Sequence, residues 1–184
     1  MNKELKSKIL PIVLAIVIIA LDQVTKMLIV RYIPYATVGA SFLGDFLRII
    51  HISNTGVAFS FGANWSDTIR HVLFAAVPVV VIAIVVGIYF RNNEFTKLQR
   101  WAIMGIIGGG IGNLIDRIFR AEGVVDFIDI KFFGIFGLER WPTFNVADAS
   151  VVICGCLLLV SFIITFVKDK KKEKNNSKGE AVKA

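Results

Sequence analysis

Gly108 to Asp148 reads GGGIGNLIDRIFRAEGVVDFIDIKFFGIFGLERWPTFNVAD. An apolar, glycine-rich run from Trp101 to Ile115 ends inside it, and an uncharged run from Ala149 to Val167 begins at its far edge. Between them sit Asp116, Asp126, Asp129 and Asp148, with Asn113, Arg117 and Asn145. Carboxylates beside segments of this grade need a reason, because an ionisable residue in a membrane span marks a functional site by default. Gly105, Gly108, Gly109, Gly110 and Gly112 leave one side of the first run nearly bare, so that a neighbouring helix can approach closely.

Outward from this stretch the chain reads as one membrane domain. Its 184 residues are 55% hydrophobic and only 19% charged, which a soluble domain with a polar exterior rarely shows. The net charge of +7 sits in three places: residues 1–8 net +2, 91–100 net +2 and 168–184 net +4, leaving −1 for the remainder. Such a distribution excludes a nucleic-acid groove and fits basic flanks held on the cytoplasmic side of a membrane. Four spans are predicted, at about 9–30, 70–90, 101–119 and 146–167, each long enough to cross a bilayer. They belong to a single domain over 1–168, followed by a basic cytoplasmic tail at 169–184 that reads as disordered. With basic flanks inside, both termini are cytoplasmic, and 31–67 and 120–144 lie on the outer face. A cleaved leader is the competing reading of the first run, but no small-x-small site follows it and apolar sequence resumes after Lys26. The fold class is a mainly α membrane protein with a small outer-face sheet. That sheet is expected in 31–67, where glycines separate β-prone runs at 47–52 and 57–61, and where Phe42, Phe46, Phe59, Phe61 and Trp65 are available to touch the interface. Cys154 and Cys156 read as packing residues. His51 and His71 are isolated, so no metal or other cofactor is expected.

The polar residues gather at the outer ends of the spans. Asn113, Asp116 and Arg117 share one helix face. Asn145 and Asp148 are likewise three apart, with Asp148 roughly 5 Å into the fourth span. Asp126 lies in the connection between these spans and can meet Asp148. Asp22 lies about 12 Å inside the first span. It requires a partner: Lys26, one turn outward, can snorkel to the interface and answers only in part, and a helix-joining ion pair with Arg117 is the simple structural reading. Two carboxylates held close share a proton, which suits hydrolysis by an activated water. Intramembrane carboxylates equally suit a proton or cation relay. Spacing alone leaves hydrolase and transporter open.

Four motifs in order settle the expectation. Leu21-Asp22-Gln23-Val24-Thr25-Lys26 resembles the D-x-x-T-K box of lipoprotein signal peptidase, or signal peptidase II. Asn54 to Ser60 is similar to that family's N-x-G-x-A-F element. Gly112 to Arg117 followed by Val124 to Phe127 resembles its third box, and Phe144 to Asp148 its fourth. The resemblance covers about residues 5–168 and implies an aspartic endopeptidase of the bacterial cytoplasmic membrane, with its site near the outer face. It would cut signal peptides from diacylglyceryl-modified prolipoproteins just before the lipidated cysteine. The implied catalytic pair is Asp126 and Asp148, with Asp22, Asn54, Asn113, Arg117 and Asn145 as substrate-binding or supporting residues. Asp129 is a rival to Asp126. The implied fold is four transmembrane helices, an outer-face β-cradle and a short amphipathic outer helix. Implied partners are the lipid-modified substrate and membrane lipid, without nucleic acid, around a monomer.

Overall fold

The computed structural model describes residues 3–55 and 67–181, with side chains over 4–55 and 72–172. The expected strand at 57–61, the aromatics Phe59, Phe61 and Trp65, and Gly56 to Ser60 of the second motif lie outside these residues. The elements run α1 (Lys3–Ile9), α2 (Ile12–Tyr32), β1 (Val38–Phe42), β2 (Leu47–Asn54), α3 (Asp67–Arg91), α4 (Lys97–Phe119), β3 (Val124–Ile135), β4 (Leu138–Arg140) and α5 (Val146–Ala181). Four stretches are long and apolar enough to cross a membrane: Glu4–Tyr32, Val72–Arg91, Lys97–Phe119 and Val146–Lys172. Their outward faces carry exposed Val, Ile, Leu and Phe, such as Val80, Ile84, Leu159 and Ile163. Apolar groups facing outward are the reverse of a soluble fold and match a lipid solvent.

Helix α4 is the axis of the bundle. It opens with a capping box, in which Thr96 Oγ1 accepts from the Gln99 N–H at 3.3 Å and Gln99 Oε1 accepts from the Thr96 N–H at 2.9 Å. Its interior turns are glycines because two helices press on it from different sides. A Cβ on Gly108 would lie 2.8 Å from Ala15 Cα of α2, and one on Gly109 would lie 2.5 Å from the Ala147 carbonyl oxygen of α5. Ala15, Ile103, Met104 and Ile107 form the inner core with the fully buried Tyr89. The Tyr89 hydroxyl donates to the Lys8 carbonyl at 2.7 Å, tying α1 to the end of α3.

Residues 33–55 and 120–144 build one antiparallel sheet in the order β1-β2-β3-β4. The strand expected at 47–52 is present and runs on to Asn54. β3 and β4 fall where the sequence reading placed only a mixed loop. The run Val124 to Ile130 is β-branched and aromatic enough to pair with β2, with Leu47 opposite Ile130 and Asn54 opposite Val124. Val125 and Phe127 pack on Ile29, seating the sheet on the end of α2. No separate outer-face helix is present among the described residues.

Candidate active site

Asp126 reaches the bundle on β3. Helix α4 ends at Phe119, and Gly123 turns the chain with φ +91°, a conformation that favours glycine. A Cβ there would also lie 2.5 Å from the Asn54 carbonyl oxygen. Two strand positions separate Val124, the partner of Asn54, from Asp126, so Asn54 and Asp126 point to the same face of the sheet. On the other side of β3, the Phe127 and Ile128 amides donate to the Phe144 carbonyl at 3.1 and 2.8 Å. That pairing sets Asn145, and with it the start of α5, beside Asp126.

Asn145 and Asp148 form the mouth of α5. The Asp148 N–H donates to Asn145 Oδ1 at 2.9 Å, and the Asn145 N–H donates to Asp148 Oδ2 at 3.2 Å. This is the reciprocal arrangement of a capping box, made here by Asn and Asp. It places a carboxylate in the first turn of a helix, where the dipole favours negative charge. Asn145 Nδ2 then donates to Asp126 Oδ1 at 2.7 Å and to Asn113 Oδ1 at 3.0 Å. Asn113 Nδ2 donates to Asp148 Oδ1 at 2.7 Å. Two carboxamides thus bridge the two carboxylates. Asp126 is buried, while Asp148 is half-buried. Burial and the neighbouring Asp148 charge raise the Asp126 carboxyl from 3.8 to about 6, against the hydrogen bonds from Asn54 and Asn145 and the Lys26 charge, which pull it down.

Behind the carboxamides lies a buried ionic cluster that differs from the sequence expectation. Asp22 does not pair with Arg117. Its partner is Lys26, at 2.8 Å, and both side chains are wholly buried. Lys26 does not snorkel outward, because Asp116 holds it from α4 at 2.8 Å. Asp116 also accepts from Arg120 Nε at 2.9 Å, one helical turn on, so the neighbouring Arg117 is not its partner. Sequence reasoning left Lys26 and Arg120 out of the site. The i, i+4 spacing of Asp22 with Lys26 and of Asp116 with Arg120 was the available signal.

Arg117 pairs with no carboxylate among the described residues. It lines a cavity of about 440 Å³ whose walls come from α3, α4 and α5, including Val81, Ile107 and Val151. Asn113 and Asp148 line the same cavity.

Asp129 is separated from Asp126 by its partners, since Asp126 is held by the Asn145 carboxamide. Asp129 is held by Arg140 Nε at 2.6 Å and by the more distant Arg48, within a network that also includes Asp45. Asp129→Asn is therefore expected to keep the catalytic rate within about 3-fold while lowering thermal stability, since breaking a buried pair costs on the order of 3 kcal/mol. Activity and melting measurements on the same preparation check both parts. Among the described residues, no group of three or more His, Cys, Asp or Glu side chains is placed to hold a metal ion.

The family described as Signal peptidase (SPase) II matches residues 14–164. The chain belongs to the signal peptidase II family. It is 51% identical over 158 residues to the lipoprotein signal peptidase of Treponema pallidum (strain Nichols), covering 86% of this chain and 85% of that protein. It is 48% identical over 171 residues to the lipoprotein signal peptidase of Treponema denticola, covering 93% and 98%. A solved structure titled as a bacterial membrane enzyme determined by the in meso method at 1.9 Å superposes with a TM-score of 0.71 at 28% identity, covering 83% of this chain and 91% of that one. As a signal peptidase II, the chain is a multi-pass membrane peptidase. The site residues stand where its helix ends meet its sheet.

Proposed function

We propose that this signal peptidase II is an aspartic endopeptidase in which Asp126 and Asp148 activate water, and that it cuts diacylglyceryl-modified prolipoproteins just before the lipidated cysteine. The observation that carries the reading is a pair of carboxylates bridged by Asn113 and Asn145, with Asp148 lining an apolar cavity between spans. An apolar signal helix fits between α3, α4 and α5, with its lipid in the bilayer and its scissile bond beside Asp148. Arg117 and the carboxamides of Asn54 and Asn113 then contact the substrate backbone. Asp22 supports the site from behind, through its contact with α5.

In its active form the pair holds one proton, which burial keeps on it up to about pH 6. Burial favours the proton on Asp126. Asp148 takes a proton from water as the oxygen attacks the scissile carbonyl, and Asp126 donates to the carbonyl oxygen. The gem-diol intermediate collapses as Asp148 passes its proton to the departing cysteine nitrogen and the C–N bond breaks, while Asp126 takes back a hydroxyl proton of the gem-diol as the product carboxyl forms. The dyad returns to one proton.

The basic ends and the 91–100 loop support a reading with both termini in the cytoplasm of a bacterial cell and the dyad near the outer face of the cytoplasmic membrane; a monomer is proposed. The test is incubation of purified protein with a synthetic prolipopeptide, with and without its diacylglyceryl group, read by mass spectrometry. The expected result is one cut before the lipidated cysteine, with the unlipidated peptide slower by about 100-fold or more, because remote binding energy is lost. Equal rates on both peptides, or a cut elsewhere, overturn the substrate assignment.

A further inference from the structure

Lys26 has no exposed surface and sits at the meeting point of three arms. One arm is Asp22, whose Oδ2 contacts the Lys26 ammonium at 2.8 Å and whose Oδ1 accepts from the Ala147 N–H at 2.9 Å. The second is Asp116, whose Oδ2 contacts the ammonium at 2.8 Å and accepts from the Val125 N–H at 3.3 Å. The third is Asn113, whose Oδ1 accepts from Lys26 Nζ at 2.9 Å. Ala147 immediately precedes Asp148 and Val125 immediately precedes Asp126. One cation therefore clamps the two carboxylates that hold the backbone beside each member of the dyad. It also touches the carboxamide that donates to Asp148.

We infer that Lys26 is a positioning residue of the dyad, setting the direction of the Asn113 carboxamide and the spacing of the Asp126 and Asp148 backbones. The inference rests on the dyad reading given above. A carboxamide has one acceptor end and one donor end. With the Lys26 ammonium and Asn145 Nδ2 both donating to Asn113 Oδ1, only Nδ2 is left to face Asp148. Reversing the amide would set NH2 against the ammonium and a lone pair against the carboxylate. The ammonium also polarises the amide and strengthens the N–H that Asp148 receives. Asp116 keeps a second cation, Arg120, and donors from Gln23 and Val125, so the cluster retains a charge partner when Lys26 is replaced.

The experiment compares Asp22→Asn with Asp22→Asn/Lys26→Met in the full chain, on a diacylglyceryl prolipopeptide. Asn at position 22 keeps an acceptor for the Ala147 N–H, and the double change leaves the net charge of the wild-type cluster unaltered. Relative to Asp22→Asn, kcat is expected to fall by about 10- to 100-fold, the worth of one charge-assisted hydrogen bond, with KM within about 3-fold. The acid limb of the kcat–pH profile is expected to move to higher pH. The groups facing the dyad are Asp22 and Lys26 from α2, Asn54 from β2, and Asp116, Arg117 and Arg120 from α4. Removing the Lys26 cation from this set makes the ionised pair harder to form. In an Asn113→Ala background the Lys26 effect on kcat should shrink to the part carried through the Asp116 and position-22 backbone contacts, since the carboxamide link is already cut. A purely structural lysine would lower the melting point and leave the pH profile in place. An unchanged kcat and profile in a folded double variant overturns the inference. If Lys26→Met prevents insertion, Asp22→Asn/Lys26→Gln is measured for the same fall. If both doubles fail to fold while Asp22→Asn folds, Lys26 belongs to the fold and the inference is overturned. Cleavage by Asp126→Asn would instead sink the dyad reading, whatever Lys26 does.

Discussion

Asp126→Asn is expected to melt higher than the parent protein at pH 7 to 8 while releasing no product. The folded chain holds the Asp126 proton up to about 6, whereas an ordinary aspartate carboxyl releases it near 3.8. Between those values the folded state binds more protons than the unfolded one, so stability falls as pH rises through the window. Above about pH 6 the full penalty of an ionised, buried carboxylate beside Asp148 is in place, up to about 3 kcal/mol for a shift of this size. Asparagine never ionises and keeps a carbonyl oxygen to accept from Asn145 Nδ2. Relief of that penalty should raise the midpoint in detergent by a few degrees. The gain should shrink as the pH is lowered below about 6 and vanish below about 4. A melting series from pH 4 to 8 on both proteins checks it. A variant that melts lower at pH 8 would mean that Asp126 is held ionised and stabilised, contrary to the division of roles within the pair.

The second large effect is Gly109→Ala. The added Cβ would lie 2.4 Å from Ser150 Oγ, 2.5 Å from the Ala147 carbonyl oxygen and 2.7 Å from Val151 Cγ2. A side chain can turn away, but the Ala147 carbonyl belongs to the first turn of α5, the turn that carries Asp148. The helices must separate, and overpacking of this kind costs about 1–3 kcal/mol. Displacing Asp148 by about 1 Å costs on the order of 100-fold in rate. Gly109→Ala should therefore lose both stability and activity. Gly155→Ala, with no atom within 4 Å of its Cβ, should change neither. The pair of variants, melted and assayed side by side, separates crowding at one interface from a general intolerance of larger side chains.

The spans were legible because lipid demands long uncharged runs, and 72–90 and 149–167 supply them without interruption. The glycine face of α4 was legible for the same reason, since close helix approach leaves a compositional trace at Gly105, Gly108 and Gly109. Asp126 and Asp148 could be proposed because a connection that returns to one membrane face brings its ends together. β3 was not legible, although Val124, Phe127 and Ile128 carry strand propensity, because Asp126, Asp129 and the glycines Gly123, Gly134 and Gly137 interrupt the apolar alternation. Without that strand and its partners Asp129 stands as a rival, and its pairing with Arg140 and Arg48 is what sets it apart from Asp126. Lys26 was misread for a deeper reason. Snorkelling is what one lysine does on one helix, and only the packing of α4 against α2 brings Asp116 within 2.8 Å of it. The partner of Asp22 likewise lay one turn away on its own helix, not across the bundle at Arg117.

The most direct test of the central claim is single-turnover cleavage of a diacylglyceryl prolipopeptide by Asp126→Asn and by Asp148→Asn, each shown to be folded by its melting transition. With Asp126 and Asp148 as acid and base, each variant is expected to be slower than the parent by at least about 100-fold, with substrate binding retained. A folded variant of either kind that cleaves at a rate near the parent's would contradict the dyad.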